Sequence, residues 1–235
     1  HYNFINMRFL RSFTFYIFFY TGTIFFFLIF SPVWLFTRHF VVTLCTFWTK
    51  SEIKLSELIL GIKYEIKGGE NIPKSGSFVV ASNHQSAWET FFLGSLFPGS
   101  IFILKYELKK IPIFSQYFKK LGFIFVKRDK AFDSLKILLK SVKKLISKNN
   151  CIFVIFPEGT RIKPGERIKL NSGVFAIHKF ANLPILPIKL NSGKYWINKK
   201  FNKREGKIIV KIFPLINKED DKKKVMTKLE NYYYH

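Results

Sequence analysis

Acidic residues are scarce in this chain, 15 Asp and Glu against 39 Lys and Arg, and cysteine is scarcer, with two in 235 residues. Cys45 and Cys151 lie far apart in apolar runs. That placement argues against a disulfide framework and suits free, buried thiols in a reducing compartment. No group of residues has metal-ligand spacing, so neither a metal nor another cofactor is expected. The shortage of acid leaves a formal net charge of +24. Such a charge suits an anionic partner: nucleic acid, a phospholipid surface or a phosphorylated small molecule. Lys, Ile, Phe and Asn are all abundant, with 29 Phe. This is a drift in composition that adds lysine wherever lysine is tolerated, so charge alone does not choose among these partners. The length allows one sizeable domain plus an appendage and demands no second core.

Charge is missing altogether from residues 12–37, SFTFYIFFYTGTIFFFLIFSPVWLFT, a run longer than the ~20 apolar residues needed to cross a bilayer. Pro32 is expected to end or kink a first helix. The following VWLFTRHFVVTLCTFW is again apolar, with Trp34 and Trp48 of the kind found at membrane interfaces. Two arrangements fit: residues 12–31 span the membrane with 33–48 along its surface, or the two helices form a hairpin in one leaflet. A cleaved signal peptide fits less well, because the run is long and no small-residue cleavage site follows it. Residues 1–50 are therefore read as membrane-anchoring helices and 51–235 as the folded domain. The basic remainder favours the cytoplasmic face of the inner membrane.

From residue 51 the pattern is α/β. Apolar runs expected as strands are Ile62–Ile66, Phe78–Ser82, Ile101–Lys105, Phe123–Lys127, Ile152–Phe156, Ile185–Leu190 and Lys207–Phe213. Between them, residues 130–147 carry Leu135, Leu138, Leu139, Val142 and Ile146 at helical spacing. The lysine-rich NKEDDKKKVMTKLE reads as a solvated helix. Strands alternating with helices predict a mixed, largely parallel sheet with its ligand site at the carboxyl ends of strands.

Unusual residues cluster at those ends. His84 follows one strand in ASNHQSAWET, Arg128 follows another in LGFIFVKRD, and Arg161 closes FPEGTR after a third. Residues five apart on a helix differ by about 140°, so His84 must lie in a loop for Glu89, one turn into the next helix, to reach it. SAWE is also a capping box, in which Glu89 would serve only the backbone. Both readings stand at this point. Two arginines able to form bidentate bonds to phosphate, with a histidine able to accept a proton, make a pocket with chemical content. Gly159 would let backbone approach the ligand.

NHQSAWET, GFIFVKR, FPEGTR and LPILPI occur in the order and at the approximate spacing of four motifs of the glycerolipid acyltransferases, and residues 60–190 resemble a bacterial 1-acylglycerol-3-phosphate acyltransferase. Glu89 stands where that family more often has Asp, and Lys127 stands where its second motif usually has Asp. The resemblance implies the glycerol-3-phosphate acyltransferase type of α/β fold. It also implies acyl transfer from coenzyme A or acyl carrier protein to the sn-2 hydroxyl of lysophosphatidate. In that reading His84 is the general base and Glu89 its partner, while Arg128, Glu158, Gly159, Thr160 and Arg161 bind the acceptor phosphate. Leu183–Ile188 would shape the site. The partners implied are a lysophospholipid, a thioester donor and the bilayer, with no nucleic acid. Two rivals remain: an acyltransferase with another acceptor, such as glycerol 3-phosphate or a lyso-ornithine lipid, and a non-catalytic basic binding protein.

Overall fold

The computed structural model describes residues 2–127, 131–217, 219 and 221–235. Seven strands form one sheet: β1 (Ile62–Lys67), β2 (Phe78–Ser82), β3 (Ile101–Lys105), β4 (Ile124–Val126), β5 (Ile152–Ile155), β6 (Ile185–Leu190) and β7 (Gly206–Ile212). Their spatial order is β1-β7-β6-β2-β5-β3-β4. Every pairing is parallel except β6 with β7, as the alternating pattern predicts. The expected strand Phe123–Lys127 is trimmed at both ends.

Both faces of the sheet are covered, and the period of two along β2 shows how. Phe78 and Val80 point into a core shared with α3 (Trp88–Leu96) and the N-terminal helices. Val79 and Ala81 point into a second core beneath α5 (Ala131–Ile146) and α6 (Gly173–Ala181). A strand buried on both faces reads as an unbroken apolar run, as FVVAS does. With β2, β3, β5 and β6 parallel, their carboxyl ends converge on one edge of the layer.

Helices α1 (Tyr2–Ile29) and α2 (Arg38–Leu60) flank a short 3-10 turn at Val33–Leu35. Ser31 and Pro32 lie between α1 and that turn, where the missing N–H ends the helix. Thr37 caps α2 by accepting from the Phe40 N–H at 3.2 Å, and Gly61 closes it in the left-handed region at φ 68°. The expected division at 50/51 falls inside α2, which runs on to the foot of β1. Asn6–Ile29 is long and apolar enough to cross a membrane by length and composition. Yet α1 packs along the α/β domain for most of its length. Phe15 meets Trp196 with ring centroids 5.2 Å apart, Phe19 meets Phe91 at 5.8 Å, and Phe27 meets Tyr117 at 4.6 Å. Its other side, with Phe18, Phe25 and Ile29, is exposed and continues onto Trp34 and Leu35.

The C-terminal segment corrects the expectation of a solvated helix. Helix α7 (Lys222–Tyr234) starts at the Asp221 cap and places Val225, Leu229 and Tyr233, four residues apart, in the second core. Lysines crowd its other faces and mask that stripe in the sequence. Leu229 is fully buried, so Leu229→Ala is expected to destabilise the protein by about 2–5 kcal/mol. A thermal melt in detergent should show a clear drop in Tm for that variant and almost none for the exposed Lys223→Ala.

Candidate active site

The loop between β2 and α3 carries the histidine. Asn83 anchors its start, with the side chain donating to the Leu190 carbonyl at 2.9 Å and accepting from the Leu190 N–H at 2.8 Å. His84 then lies with its side chain 14% exposed, stacked on Phe156 at 4.0 Å between ring centroids. Its Nδ1 is 3.0 Å from Oε1 of Glu89, a residue with no solvent exposure. The same Oε1 accepts the N–H of Gln85 and that of Ser86, the latter at 2.6 Å. Oε2 accepts the hydroxyls of Ser86 and Ser192, each at 2.6 Å. Glu89 is therefore both cap and partner: one oxygen closes the amino end of α3 and holds the imidazole together.

Burial pushes the Glu89 pKa up, but the hydrogen bond and charge of His84 and the Ser192 and Ser86 hydroxyls outweigh it, leaving the carboxyl below its ordinary range. Its contribution to stability is thus full above the ordinary carboxylate pKa and is lost as pH falls through the folded value. An ionised carboxylate only accepts, so Nδ1 carries the imidazole proton and Nε2 remains as an acceptor. Nε2 has no hydrogen-bond partner among the described residues.

The FPEGTR turn after β5 locks onto this loop through the main chain. Glu158 Oε2 accepts the His84 N–H at 2.6 Å, and the Ile162 N–H donates to the His84 carbonyl at 2.9 Å. Gly159 makes the turn at φ 69°, a conformation that favours glycine. Thr160 and Arg161 face solvent. The expected role of Glu158 in holding ligand does not match its placement: the side chain is buried, turned away from solvent, and its Oε1 accepts the Tyr234 hydroxyl at 3.2 Å. Burial lifts its pKa from 4.5 to about 7, against the pull of the His84 N–H and Tyr234, with the charges of Glu89 and Glu166 adding to the rise. Arg128 lies outside the described residues.

Arg161 stands at the rim of an apolar cavity of about 270 Å³ walled by Trp48, Phe91, Phe102, Phe118 and Phe123. These apolar surroundings lower the guanidinium pKa, and the Glu89 charge opposes that shift. Its five N–H donors have no hydrogen-bond or ion-pair partner among the described residues. The Leu183–Ile188 segment lies beside the catalytic strand, Pro187 opposite Ala81 and Ile188 opposite Ser82. Its continuation carries the residue that the sequence reading missed, Ser192, together with Gly193. A Cβ at Gly193 would come within 2.9 Å of Gln85 Cβ, so the chain passes directly under the catalytic loop. The available signal was the small, polar NSG at the end of a buried strand.

A polarised imidazole with its outer nitrogen unpartnered among the described residues, on a loop hydrogen-bonded to the turn that carries Arg161, is a site able to take a proton from a ligand hydroxyl. Comparison with known proteins narrows the class. The family model described as Acyltransferase matches residues 63–191. A 1-acyl-sn-glycerol-3-phosphate acyltransferase of Pseudomonas aeruginosa is 37% identical over 182 residues, covering 77% of this chain and 70% of that protein. A human 1-acyl-sn-glycerol-3-phosphate acyltransferase alpha is 28% identical over 163 residues, 68% of this chain and 57% of that protein. The crystal structure of the 1-acyl-sn-glycerophosphate (LPA) acyltransferase, PlsC, from Thermotoga maritima superposes with a TM-score of 0.73 at 24% identity, over 96% of this chain and 92% of that one. The chain belongs to the acyltransferase family, and its fold is that of the Thermotoga protein.

Two outcomes follow from the Glu89 network. Glu89→Gln keeps the shape and removes the charge, and should lower turnover by about 10²–10⁴-fold in a protein that still folds. Ser192→Ala removes one of two bonds to Oε2 and should lower kcat by a smaller factor, about tenfold, with acceptor KM little changed. Glu158 gives a third. The folded state keeps its proton up to about 7 and the unfolded chain releases it near 4.5, so stability falls as pH rises across that window. Melts of Glu158→Gln over the same pH range should show a weaker decline than the wild type.

Proposed function

We propose that the protein transfers an acyl group from a thioester donor, acyl coenzyme A or acyl-acyl carrier protein, to the sn-2 hydroxyl of 1-acylglycerol 3-phosphate, giving phosphatidic acid. The observation that carries this reading is the His84–Glu89 pair, its Nε2 unpartnered among the described residues, on a loop joined through the main chain to the turn that carries Arg161. The names of the relatives agree with it.

In this reading the acceptor hydroxyl gives its proton to His84 Nε2 as its oxygen attacks the thioester carbonyl, and Glu89 stabilises the imidazolium that forms. The tetrahedral adduct collapses with cleavage of the carbon–sulfur bond, and the leaving thiolate takes the proton back from Nε2. No acyl-enzyme is required, since the hydroxyl stands where a triad would have its serine. Cys151 is pushed to a raised pKa chiefly by burial, which disfavours the thiolate a nucleophile needs. Arg161 fixes the acceptor phosphate and so the hydroxyl near Nε2; Arg128 is expected to assist. An acyl chain suits a cavity lined by aromatic and aliphatic groups.

The exposed apolar side of α1, with Trp34 and Leu35, is read as the membrane contact. Because the opposite side of α1 is packed on the catalytic domain, lying in one leaflet fits better than crossing the bilayer with the domain in water. The cytoplasmic face of the inner membrane suits both the basic surface and the unpaired cysteines.

The test is turnover of labelled acyl coenzyme A and acyl-acyl carrier protein against a panel of acceptors, each as short-chain monomer and in vesicles. Consumption of thioester with 1-acylglycerol 3-phosphate, lost in His84→Ala, is expected. A higher kcat/KM on glycerol 3-phosphate or another lysophospholipid would replace the acceptor. Vesicle binding abolished by salt, with no thioester consumed, would replace the enzyme by a basic binding protein.

A further inference from the structure

Tyr234, in the last turn of α7, shares one hydroxyl among three partners. Its oxygen lies 3.4 Å from the Ile168 nitrogen, 3.2 Å from the Ile168 carbonyl oxygen and 3.2 Å from Oε1 of Glu158. The other oxygen of that carboxyl, Oε2, accepts the His84 N–H at 2.6 Å. A continuous path of hydrogen bonds therefore runs from α7 through Glu158 to the main chain of the histidine. Both ends of the path are fixed. Arg167 donates to the Tyr234 carbonyl at 3.1 Å, and the adjacent Tyr233 is buried in the second core. Asn171 holds the FPEGTR turn, its N–H and its side-chain amide donating to the Pro157 carbonyl at 2.7 and 3.0 Å.

A phenol donates one proton and accepts through its oxygen. With the Ile168 N–H donating to that oxygen, an ionised Glu158 would leave a single proton for two acceptors, the Ile168 carbonyl and Oε1. A proton on Oε1 closes the count: the carboxyl donates to the tyrosine oxygen, and the hydroxyl donates to the Ile168 carbonyl. Oε2 still accepts from His84. The surroundings point the same way. Glu158 is 3% exposed, and Glu89 and Glu166, the charged groups that act on it, both oppose a further negative charge. From α7, Tyr233 and Tyr234 sense the carboxyl, and Glu230 adds its charge at Tyr234. No Lys or Arg among the described residues pairs with it. A second carboxylate so close to His84 would favour the imidazolium, the form that cannot accept a proton.

We propose that Tyr234 is a positioning residue for the reaction: it holds the Glu158 carboxyl neutral and in place, and through that carboxyl it fixes the main chain of His84. This rests on the reading of His84 as the base. It leaves Glu89 as the one anion facing the imidazole and gives Glu158, which does not face the ligand, a part in catalysis at one remove.

The experiment is steady-state kinetics of the full chain in detergent, varying acceptor and donor separately, with a melt of each variant. Tyr234→Phe removes only the hydroxyl and should lower kcat about 3- to 10-fold, with both KM values and the Tm close to wild type. Glu158→Ala should lower kcat further, about 10- to 100-fold. Glu158→Gln should recover most of that loss, because an amide both donates to the tyrosine oxygen and accepts from the His84 N–H. Wild-type kcat in Tyr234→Phe, or a fall accompanied by raised KM values and a lowered Tm, would overturn the proposal. So would a Glu158→Gln protein as slow as Glu158→Ala, since a charge would then be what matters. The acid limb of kcat/KM, which reports the free imidazole, gives a reading that does not depend on Tyr234→Phe or Glu158→Ala folding. It should lie at the same pH in the wild type and Glu158→Gln; a limb moved to lower pH in Glu158→Gln would reveal an ionised Glu158 and overturn the proposal. Undiminished turnover in His84→Ala would remove the base and this proposal together, whereas its loss alongside an unaffected Tyr234→Phe would remove the proposal alone.

Discussion

The active site depends on one buried carboxylate. Glu89 accepts five hydrogen bonds, from the His84 ring, two backbone N–H groups and two serine hydroxyls. Bonds of this kind hold a carboxylate ionised where burial alone would neutralise it. They also join two pieces of chain remote in sequence: the loop from β2 into the first turn of α3, and the continuation of β6. The parallel arrangement of the strands brings those ends together. The FPEGTR turn then grips the His84 backbone from the β5 side, so the imidazole is fixed through its ring and its main chain at once.

The surroundings sort polar from apolar with little overlap. Aromatic groups from α2, α3 and α4 (Phe114–Leu121) wall the cavity, and Arg161 sits at its rim. The apolar space and the unpaired guanidinium thus offer separate surroundings to an apolar chain and to an anion.

The sheet was legible in the sequence because its strands are buried on both faces, so β2, β5 and β6 stand out as apolar runs between polar loops. The contact between His84 and Glu89 was legible up to an ambiguity, since SAWE satisfies the rule for a helix cap whether or not a histidine uses it. Ser192 was not legible: which strand lies beside β2 is set by the whole sheet, and a serine after β6 looks like any turn residue. Nor could the direction of the Glu158 carboxylate be read, because it is fixed by Tyr234 at the far end of the chain. The α7 stripe of Val225, Leu229 and Tyr233 was hidden by the surrounding lysines.

The edge strand β1 pairs only with β7, in parallel, from Ile62 opposite Gly206 to Lys67 opposite Lys211. During synthesis β1 leaves the ribosome with α1 and α2 just ahead of it, while its neighbour is still untranslated. The apolar helices can reach a bilayer early, but that edge of the sheet stays open until the last strand arrives, and such long-range pairing is slow to form. Until β7 arrives, the backbone groups of β1 have no strand to pair with, so the edge strand that comes first in the chain is the last to be secured.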